Sequence, residues 1–450
     1  MARRQSSLGL IVRLGVILIA GAVSVGQLAA SDPIFQTLTL FTGVSNGGQP
    51  WSPPITDASG NLFGVTSEGG NGLCTYEPVT AGCGTVYELS PPVTGTQWTE
   101  TLLYQFQDNA DGTYPVGSLV FDKAGNLYGT TDNGGSGGGG TVFELTPPAS
   151  GSGPWTKTIL YNFPGSQGSH PEAGLVFDKL GNLYGTATDG GNCDLNTGCG
   201  GVVFELSPPA VSGAAWTYST IYVFQGSPDG AVPESTLVID GTGKLYGTTM
   251  VGGLSTQGPN GGGTIFELTP PSSPESQWTE RVLYTFGTNN DDGYTSRSGV
   301  VFGKSGILYG DTELGGDLGY GAVYQFVPPA EAGGNWTESV IYSFTGSDGL
   351  SPFGSLAVGS DGSIYGTTIF GGPLERGNVF ELTPPSAPGN PWTETSLTNF
   401  SGLAYPLAGV TFGKGGWLYG ATLGGIVAET CGTTSQRQRL GCGQVFRFKP

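Results

Sequence analysis

The sequence predicts an all-β protein, a seven-bladed β-propeller of four-stranded antiparallel blades closed by an N-terminal strand. The first observation is a pattern that occurs seven times, at intervals of roughly 55 to 65 residues, the length of a supersecondary unit. Each copy has Leu-Tyr-Gly or a close variant, a glycine-rich loop, a segment similar to Val-Phe-Glu-Leu-Thr-Pro-Pro, and a β-type run. The aromatic residue of the first motif recurs at Phe63, Tyr128, Tyr184, Tyr246, Tyr309, Tyr365 and Tyr419.

The second observation is that each unit contains four short β-type runs separated by Gly, Pro, Asn and Asp, without helical periodicity. In the second unit, these runs predict strands over Gly117–Asp122, Leu127–Thr131, Thr141–Thr146 and Trp155–Phe163. Four strands per unit are typical of a propeller blade. The recurring aromatic residues are therefore expected to pack between blades, and the recurring Glu of Phe-Glu-Leu to bond a hydroxyl or backbone group.

The third observation concerns the two ends of the repeat array. The seventh unit ends at Val445–Pro450, which corresponds to the third strand of a blade. Ile34–Phe41 precedes the first full unit and aligns with Glu394–Phe400, the fourth strand of unit six. We therefore expect the N-terminal strand to complete the last blade, an arrangement that hides the edge strands of the array.

The first thirty residues differ from the rest. Three arginines lead into an apolar segment over residues 14–26, and Leu28-Ala29-Ala30 follows. This pattern predicts a secretory signal peptide over residues 1–30, followed by a single propeller domain over residues 31–450. An uncleaved membrane anchor is the alternative, because Arg13 interrupts the charged-to-apolar pattern and the cleavage motif is imperfect. No second apolar stretch is long enough to span a bilayer. We expect a protein that is secreted to the periplasm or the medium.

The charge of the chain limits its partners. The formal net charge is −19, and removal of residues 1–30 leaves 13 basic and 35 acidic side chains, a net charge of −22. Nucleic acid is not expected as a partner, because phosphate contacts need clustered Lys and Arg. After signal cleavage we expect a monomer with no membrane contact and no cofactor.

The six cysteines form three close pairs, each in the loop between the second and third strands of blade one, three or seven. Disulfides are the natural interpretation in an oxidising compartment. Zinc binding is the alternative, but the chain has one His and no Cys-x-x-Cys spacing, so no metal is expected. The expected pairs are Cys74 with Cys83, Cys193 with Cys199, and Cys431 with Cys442.

The repeat resembles that of the GloVer (Gloeobacter/Verrucomicrobia) tandem-repeat proteins, which are secreted bacterial proteins. The resemblance rests on two segments, Asp122–Thr131 and Gly140–Pro148, and on their six sister copies, so it covers nearly all of residues 34–450. It identifies a repeat and implies no catalytic residues.

Function is expected where the repeat is broken. In a propeller, the loops between second and third strands and the loops between blades open on one face, which here carries the variable residues. Aromatic side chains beside carboxylates around a funnel suit a sugar or a cationic ligand; the alternative is that these are ordinary loop residues. The candidate ligand-binding residues are Glu68, Asp132, Asp189, Glu313, Trp51, Tyr114, His170 and Tyr405.

Three functional classes remain open on the sequence. We expect a secreted, non-enzymatic binding or interaction protein, whose partner is an extracellular carbohydrate or a cell-surface component. A carbohydrate-active or lactone-hydrolysing enzyme is the first alternative, because Glu172 and Glu234 near the same funnel could act as a carboxylate pair. A calcium-dependent hydrolase is disfavoured, since small residues stand at the entry to the innermost strands. A structural surface protein is the third class.

Overall fold

The computed structural model describes residues 34–450 except 44, 73, 77–78, 81, 108, 152, 166, 192, 195–197, 212, 256–260, 274, 290–291, 332, 388, 402–403 and 426–441. Residues 33–450 form one compact unit. The regular structure of the described residues consists of strands and three short 3-10 helices, over Asn109–Asp111, Lys304–Gly306 and Lys414–Gly416. The signal-peptide prediction for residues 1–30 lies outside the described residues, and the domain boundary it implies stays a prediction.

The strands are short and regularly spaced. In chain order they are β1 (Ile34–Leu40), β2 (Ile55–Thr56), β3 (Leu62–Thr66), β4 (Thr75–Tyr76), β5 (Val79–Thr80), β6 (Thr85–Ser90), β7 (Thr99–Gln105), β8 (Val120–Phe121), β9 (Leu127–Thr131), β10 (Thr141–Thr146), β11 (Thr156–Asn162), β12 (Val176–Phe177), β13 (Leu183–Ala187), β14 (Cys193–Asp194), β15 (Gly198–Cys199), β16 (Val202–Ser207), β17 (Thr217–Val223), β18 (Val238–Ile239), β19 (Leu245–Thr249), β20 (Thr264–Thr269), β21 (Thr279–Thr285), β22 (Gly293–Tyr294), β23 (Val300–Phe302), β24 (Leu308–Thr312), β25 (Leu314–Gly315), β26 (Ala322–Val327), β27 (Thr337–Ser343), β28 (Leu350–Pro352), β29 (Ala357–Val358), β30 (Ile364–Phe370), β31 (Asn378–Thr383), β32 (Thr393–Asn399), β33 (Val410–Phe412), β34 (Leu418–Thr422) and β35 (Gln444–Lys449).

These strands form seven antiparallel blades arranged as a β-propeller, which confirms the predicted fold class. Blades one to five are β2-β3-β6-β7, β8-β9-β10-β11, β12-β13-β16-β17, β18-β19-β20-β21 and β23-β24-β26-β27. In blade six, both β28 and β29 pair with β30, which is followed by β31 and β32; blade seven is β33-β34-β35-β1. Three two-stranded ribbons, β4-β5, β14-β15 and β22-β25, decorate the loops.

The strands of blade two test the predicted boundaries. The second and third strands, β9 and β10, have the predicted limits, and the fourth is one residue shorter at each end. The innermost strand β8 is much shorter than Gly117–Asp122. Crowding explains the difference, because a Cβ at Gly117 would lie 2.4 Å from the Ala173 carbonyl oxygen of the next blade. Because the backbones of neighbouring blades converge near the axis, the innermost strand has fewer residues paired with the second strand than the sequence predicts.

The N-terminal strand closes the ring as predicted. β1 pairs antiparallel with β35 from Ile34↔Lys449 to Leu40↔Gln444, and the register shifts between Thr37 and Thr39. The pairing of third and fourth strands shows a corresponding shift in each of the other six blades. β1 therefore has the bulged geometry of a true fourth strand, and its pairing leaves no free edge on β35.

The recurring aromatic residues pack between blades, as expected. The tyrosine of Leu-Tyr-Gly lies against the tryptophan of the following blade, for example Tyr128 against Trp216 with ring centroids 6.0 Å apart. Trp98 of blade one contacts Tyr419 of blade seven in the same way, at 6.3 Å, which carries the interface across the closure. The Tyr128 hydroxyl donates to Glu144 of the Phe-Glu-Leu motif at 3.0 Å, and Tyr365 donates to Glu381 in the same way. In blades one, three and four this glutamate accepts a hydrogen bond from a Ser or Thr hydroxyl two residues along the strand, so it is a recurrent hydroxyl partner.

The expected disulfide of blade one is confirmed, since Cys74 and Cys83 are bonded. Cys193 and Cys199 are opposite each other in the β14-β15 ribbon. Cys442 is disulfide-bonded, and its expected partner Cys431 lies outside the described residues. Within the described part of the chain, no helix has the length and apolar character needed to cross a membrane.

Candidate functional site

A pocket of about 550 Å³ opens at the centre of the ring on the face that carries the variable loops. All seven blades contribute to it, which places it on the propeller axis. Its floor is built from small residues that precede the innermost strands, as the sequence indicated. These floor residues are Ser52, Ser118, Gly174, Ser235, Ser298, Ser355 and Ala408.

One side chain per blade forms a ring around this pocket. The ring position follows a proline in six of the seven inter-blade loops and a serine in blade five. In order around the axis, its members are Trp51, Val116, Glu172, Glu234, Arg297, Phe353 and Leu407, and all of them line the pocket.

The backbone two residues before each ring position explains why the same position reaches the axis in every blade. That residue has a left-handed conformation with φ between 47° and 64° in all seven loops, although none of them is glycine. In blade three, the amide of this residue, His170, donates to the Gly139 carbonyl of the preceding blade at 2.9 Å. Tyr114 of blade two bonds the Cys83 carbonyl in the same way, at 3.1 Å. Such strain persists only where surrounding contacts enforce it. The left-handed residues are Gln49, Tyr114, His170, Val232, Thr295, Ser351 and Tyr405.

The ring separates into two halves. Blades six, seven, one and two supply the apolar half, and blades three, four and five supply the charged half, with Glu172, Glu234 and Arg297. At the ring position, the side chains therefore form an apolar wall opposite an ionic wall, while Glu68 of blade one and Asp132 of blade two line the pocket outside the ring. The apolar half consists of Phe353, Leu407, Trp51 and Val116.

The candidate residues chosen from the sequence fall into two groups. Trp51, Tyr114, Glu68 and Asp132 line the pocket. Asp189, Glu313, His170 and Tyr405 lie behind it, where the first three contact charged groups of the site. Tyr405 packs edge-on against Phe370, with ring centroids 5.6 Å apart. Whether any of the eight binds a ligand stays a prediction.

Trp51 is fixed by hydrogen bonds although its side chain is accessible. The indole Nε1 donates to Ser67 Oγ at 3.1 Å, and Ser67 donates in turn to the Gln49 carbonyl at 3.1 Å. Trp51 remains 38% exposed. A large aromatic face is therefore held in a defined orientation at the pocket edge, with little rotamer entropy left to lose on binding.

Asp132, His170 and Asp189 form a charged group beside blade three. His170 Nδ1 lies 2.8 Å from Asp132 Oδ1, and Nε2 lies 3.9 Å from Asp189 Oδ2. The hydrogen bond to Asp132 is the main cause that raises the pKa of His170 above its usual value. A protonated imidazole would offset the charge of both aspartates.

Arg297 connects the ring to the residues behind it. Its Nη1 donates to Glu234 at 2.6 Å, and its Nε donates to Glu313 at 3.0 Å. Burial raises the pKa of Glu234, and the guanidinium opposes that rise. The arginine charge is thus shared between two carboxylates, and the guanidinium also lies 5.6 Å from the ring centroid of Phe353.

Glu172 differs from the other acids of the pocket. Its side chain makes no hydrogen bond or ion pair with any described residue, although its backbone amide bonds the His170 carbonyl at 3.0 Å. Burial, followed by the charges of Asp132 and Glu234, raises the pKa of Glu172 to about 7. The pocket therefore contains a carboxyl group that exchanges its proton near neutral pH.

Asp311 is a second unusual carboxyl group, and it is not among the candidate residues that the sequence indicated. The corresponding second-strand residue is a threonine in four blades, where it donates to a carbonyl of the next blade, as Thr130 does to Ala173 at 3.0 Å. Asp311 is 1% exposed, and Ser298 of the pocket floor donates to its Oδ1 at 2.6 Å. Oδ2 has no hydrogen bond within the described structure. Burial raises the pKa of Asp311 to about 7.

The chain belongs to the Gloeobacter/Verrucomicrobia repeat family, whose model matches residues 19–259 and 254–450. This confirms the resemblance seen in the sequence. No curated protein matches the chain.

Two solved structures illustrate the more distant similarities. One, from Bacteroides uniformis, carries a provisional assignment as a 6-phosphogluconolactonase; it is 14% identical, with 78% of this chain and 87% of that chain covered and a TM-score of 0.45. A luciferin-regenerating enzyme is also 14% identical, with 93% and 95% covered and a TM-score of 0.41. At these values neither carries a functional argument.

Proposed function

We propose that this protein is a secreted binding propeller whose ligand occupies the axial pocket and is a carbohydrate, either free or on a cell surface. The observation that carries the proposal is the two-sided ring, with apolar side chains from four consecutive blades facing ionic side chains from three. A pyranose has matching sides, since its C–H face is apolar and its edge carries hydroxyl groups. Pockets that combine an apolar wall with a few convergent polar groups are the usual form of small-molecule sites.

The two walls would contribute in different ways. The Trp51 indole, fixed by Ser67, offers a stacking surface for the apolar face of a sugar. Glu172 and Glu234 offer carboxyl oxygens as hydrogen-bond acceptors for sugar hydroxyl groups.

The test is a binding screen of glycans and cell-wall polysaccharides, followed by calorimetric titration of any ligand found. Trp51→Ala should weaken binding by about 1–3 kcal/mol if the indole is an anchor, without a change in melting temperature. Trp417→Phe is the control, because Trp417 lies on the opposite face and packs against Arg447 at 4.1 Å from its ring centroid. If a ligand's affinity is unchanged by Trp51→Ala and lost with Trp417→Phe, the binding site lies on the opposite face and the proposed site is refuted.

A hydrolase is the second candidate, and Glu172 favours it. A carboxyl group with a pKa of about 7 can donate a proton to a leaving oxygen at neutral pH. Its neighbours Asp132 and Glu234 line the same pocket and supply the second carboxyl group that a glycosidase or lactonase would need. Product analysis on the same panel separates the candidates: Glu172→Gln should abolish turnover by an enzyme, whereas a pure binder forms no product. A structural surface protein would show neither binding nor turnover.

Export is part of the proposal and is supported by the Cys74–Cys83 disulfide. The experiment is expression of the full chain in a bacterial host, with N-terminal sequencing of the exported protein. We expect a mature N-terminus near Ser31 and no free thiol. Retention of the full-length chain in the membrane fraction would instead support the uncleaved anchor.

A further inference from the structure

Six blades have a polar pair between the fourth strand and the loop that enters the blade. The strand member is the residue paired with the Leu or Phe of the Phe-Glu-Leu type motif, and the loop member directly precedes a glycine. From blade one to blade six, the pairs are Asn46 and Glu100, Asp111 and Lys157, Gln167 and Tyr218, Asp229 and Glu280, Asp292 and Glu338, and Asp348 and Glu394.

In blades one to three, the two members are chemically matched. The Asn46 amide donates to Glu100 at 3.3 Å. Tyr218 OH donates to the carbonyl of Gln167 at 2.6 Å. In blade two, Lys157 Nζ lies 2.9 Å from Asp111 Oδ1 and also bonds the Asp111 backbone oxygen.

In blades four, five and six, both members are carboxyl groups. Each aspartate accepts a tyrosine hydroxyl, for example Asp292 from Tyr284 at 3.0 Å, but none of these six acids has an ion pair in the described part of the chain. In blades four and five, burial raises the pKa of Glu280 and Glu338 to about 7, and the charge of the facing aspartate, Asp229 or Asp292, is the second cause. The same causes act on Glu394, which also accepts a hydrogen bond from Ser396.

The blade five pair shows the imbalance most clearly. Asp292 is 5% exposed, and its Oδ1 makes no hydrogen bond with a described residue. Glu338 Oε1 is buried and without a hydrogen bond as well. Both residues line a cavity of about 590 Å³ at the outer edge of the blades, together with Tyr284 and Tyr342. Each of the two carboxyl groups therefore has one buried oxygen that makes no hydrogen bond with a described residue, and both residues line the same cavity.

Blade two shows which ligand fits this position. The Lys157 side chain is 3% exposed, so a positive charge lies buried between the fourth strand and the loop. It is bonded to a carboxylate oxygen and to a backbone carbonyl oxygen of the same aspartate. Oxygen donors of these two kinds are the ligands that Ca²⁺ prefers in proteins, with water completing the coordination.

We propose that blades four, five and six each bind a hard divalent cation of the calcium type between the paired carboxylates, at the position that the Lys157 ammonium fills in blade two. The donors are Asp229 and Glu280, Asp292 and Glu338, and Asp348 and Glu394, each with the backbone oxygen of its aspartate. These sites are on the outer part of the blades, away from the axial pocket, so they are independent of the carbohydrate proposal. Their effect is to tie each inter-blade loop to the strand behind it.

The experiment measures Ca²⁺ binding by the full chain, freed of metal with EGTA, by calorimetric titration and thermal denaturation. We expect three Ca²⁺ per chain and a higher melting temperature with Ca²⁺ than with EGTA. Glu338→Lys places an ammonium group in blade five where blade two has that of Lys157. This variant should therefore bind one Ca²⁺ fewer than the wild-type chain, and its melting temperature in EGTA should not fall. Glu331→Lys, an equal charge change at an exposed residue, should still bind three.

Two further variants keep the result decisive. Glu338→Gln should also lose one Ca²⁺, which covers the case in which the lysine variant does not fold. Lys157→Glu, which recreates a carboxyl pair in blade two, should add one. The proposal is overturned if the wild-type chain binds no Ca²⁺, which is the result expected if each carboxyl pair shares a proton instead of a cation. It is also overturned if Glu338→Gln binds as many Ca²⁺ ions as the wild-type chain.

Discussion

Removal of β1 should destabilise the propeller strongly, because this strand closes the ring. The segment supplies the fourth strand of blade seven, where Phe35 stacks on Phe446 with ring centroids 5.4 Å apart. Leu38 of β1 and Phe41, which directly follows the strand, are buried, at 8% and 4% exposed. Phe41 contacts Tyr87 of blade one at 5.2 Å, so the same segment joins the last blade to the first.

The magnitude follows from these contacts. Complete burial of a leucine or phenylalanine side chain contributes about 1.5–3 kcal/mol, so the loss of Leu38 and Phe41 costs about 3–6 kcal/mol. The broken ladder with β35 adds to this loss. The total is comparable to the net stability of many proteins, about 5–15 kcal/mol. A chain that lacks residues 34–41 is therefore expected to melt far lower and to self-associate through the exposed edge of β35.

The assay compares this truncation with a chain that lacks only residues 1–30, by thermal denaturation and size-exclusion chromatography. A gentler pair uses two adjacent residues of the same segment. Phe41→Ala should cost about 3–5 kcal/mol, whereas Leu40→Ala, at a side chain that is 47% exposed, should change stability by less than about 0.5 kcal/mol. A truncated protein that stays monomeric and melts within a degree or two of the control would refute the closure.

Three other results are expected. Replacement of Cys74 and Cys83 by serine should lower the free energy of unfolding by about 2–3 kcal/mol, the cost of opening a short loop, and peptide mapping without reduction should find no link between different loops. Asp311 has a raised pKa of about 7, so the folded state keeps a proton that the unfolded state releases, and stability falls as pH rises between about 4 and 7. Asp311→Thr should flatten that fall, and urea denaturation at pH 5 and pH 8 checks it; equal pH dependence in both proteins would contradict the assignment. Tyr128→Phe, which removes the 3.0 Å bond to Glu144, should cost about 0.5–1.5 kcal/mol by the same method, and no loss would mean that the bond contributes nothing.

Much of the fold is determined locally and could be predicted from the sequence. Strand alternation and turn residues are properties of short segments, and sevenfold repetition makes each segment confirm the others. The limits of Leu127–Thr131 and Thr141–Thr146 were predicted without error. The closure by Ile34–Phe41 followed from counting strands, and a confirmed disulfide, Cys74–Cys83, followed from proximity along the chain.

The candidate site was predicted only in part, because a side chain reaches the axis or turns away according to its exact position in a loop. Trp51 stands at the ring position, whereas Tyr114, His170 and Tyr405 stand two residues before it, at the left-handed residue. A signal for the ring was present in the sequence, as the residue after the recurring proline of the inter-blade loops. It could have been found by aligning six of the loops on that proline and the loop of blade five on Ser296.

Other features required the tertiary structure, because they join segments that lie far apart in the sequence. The pairing of Asp292 with Glu338 and of Ser298 with Asp311 depends on how the blade folds back on its entering loop. The unbonded state of Glu172 depends on where Arg297 directs its two donors, towards Glu234 and Glu313. The sequence by itself thus determined seven blades and their closure, since those rest on repeated local patterns. Which carboxyl groups lack a hydrogen-bond or ion-pair partner depends on how the blades pack together, since a side chain's partners, burial and pKa are properties of that packing.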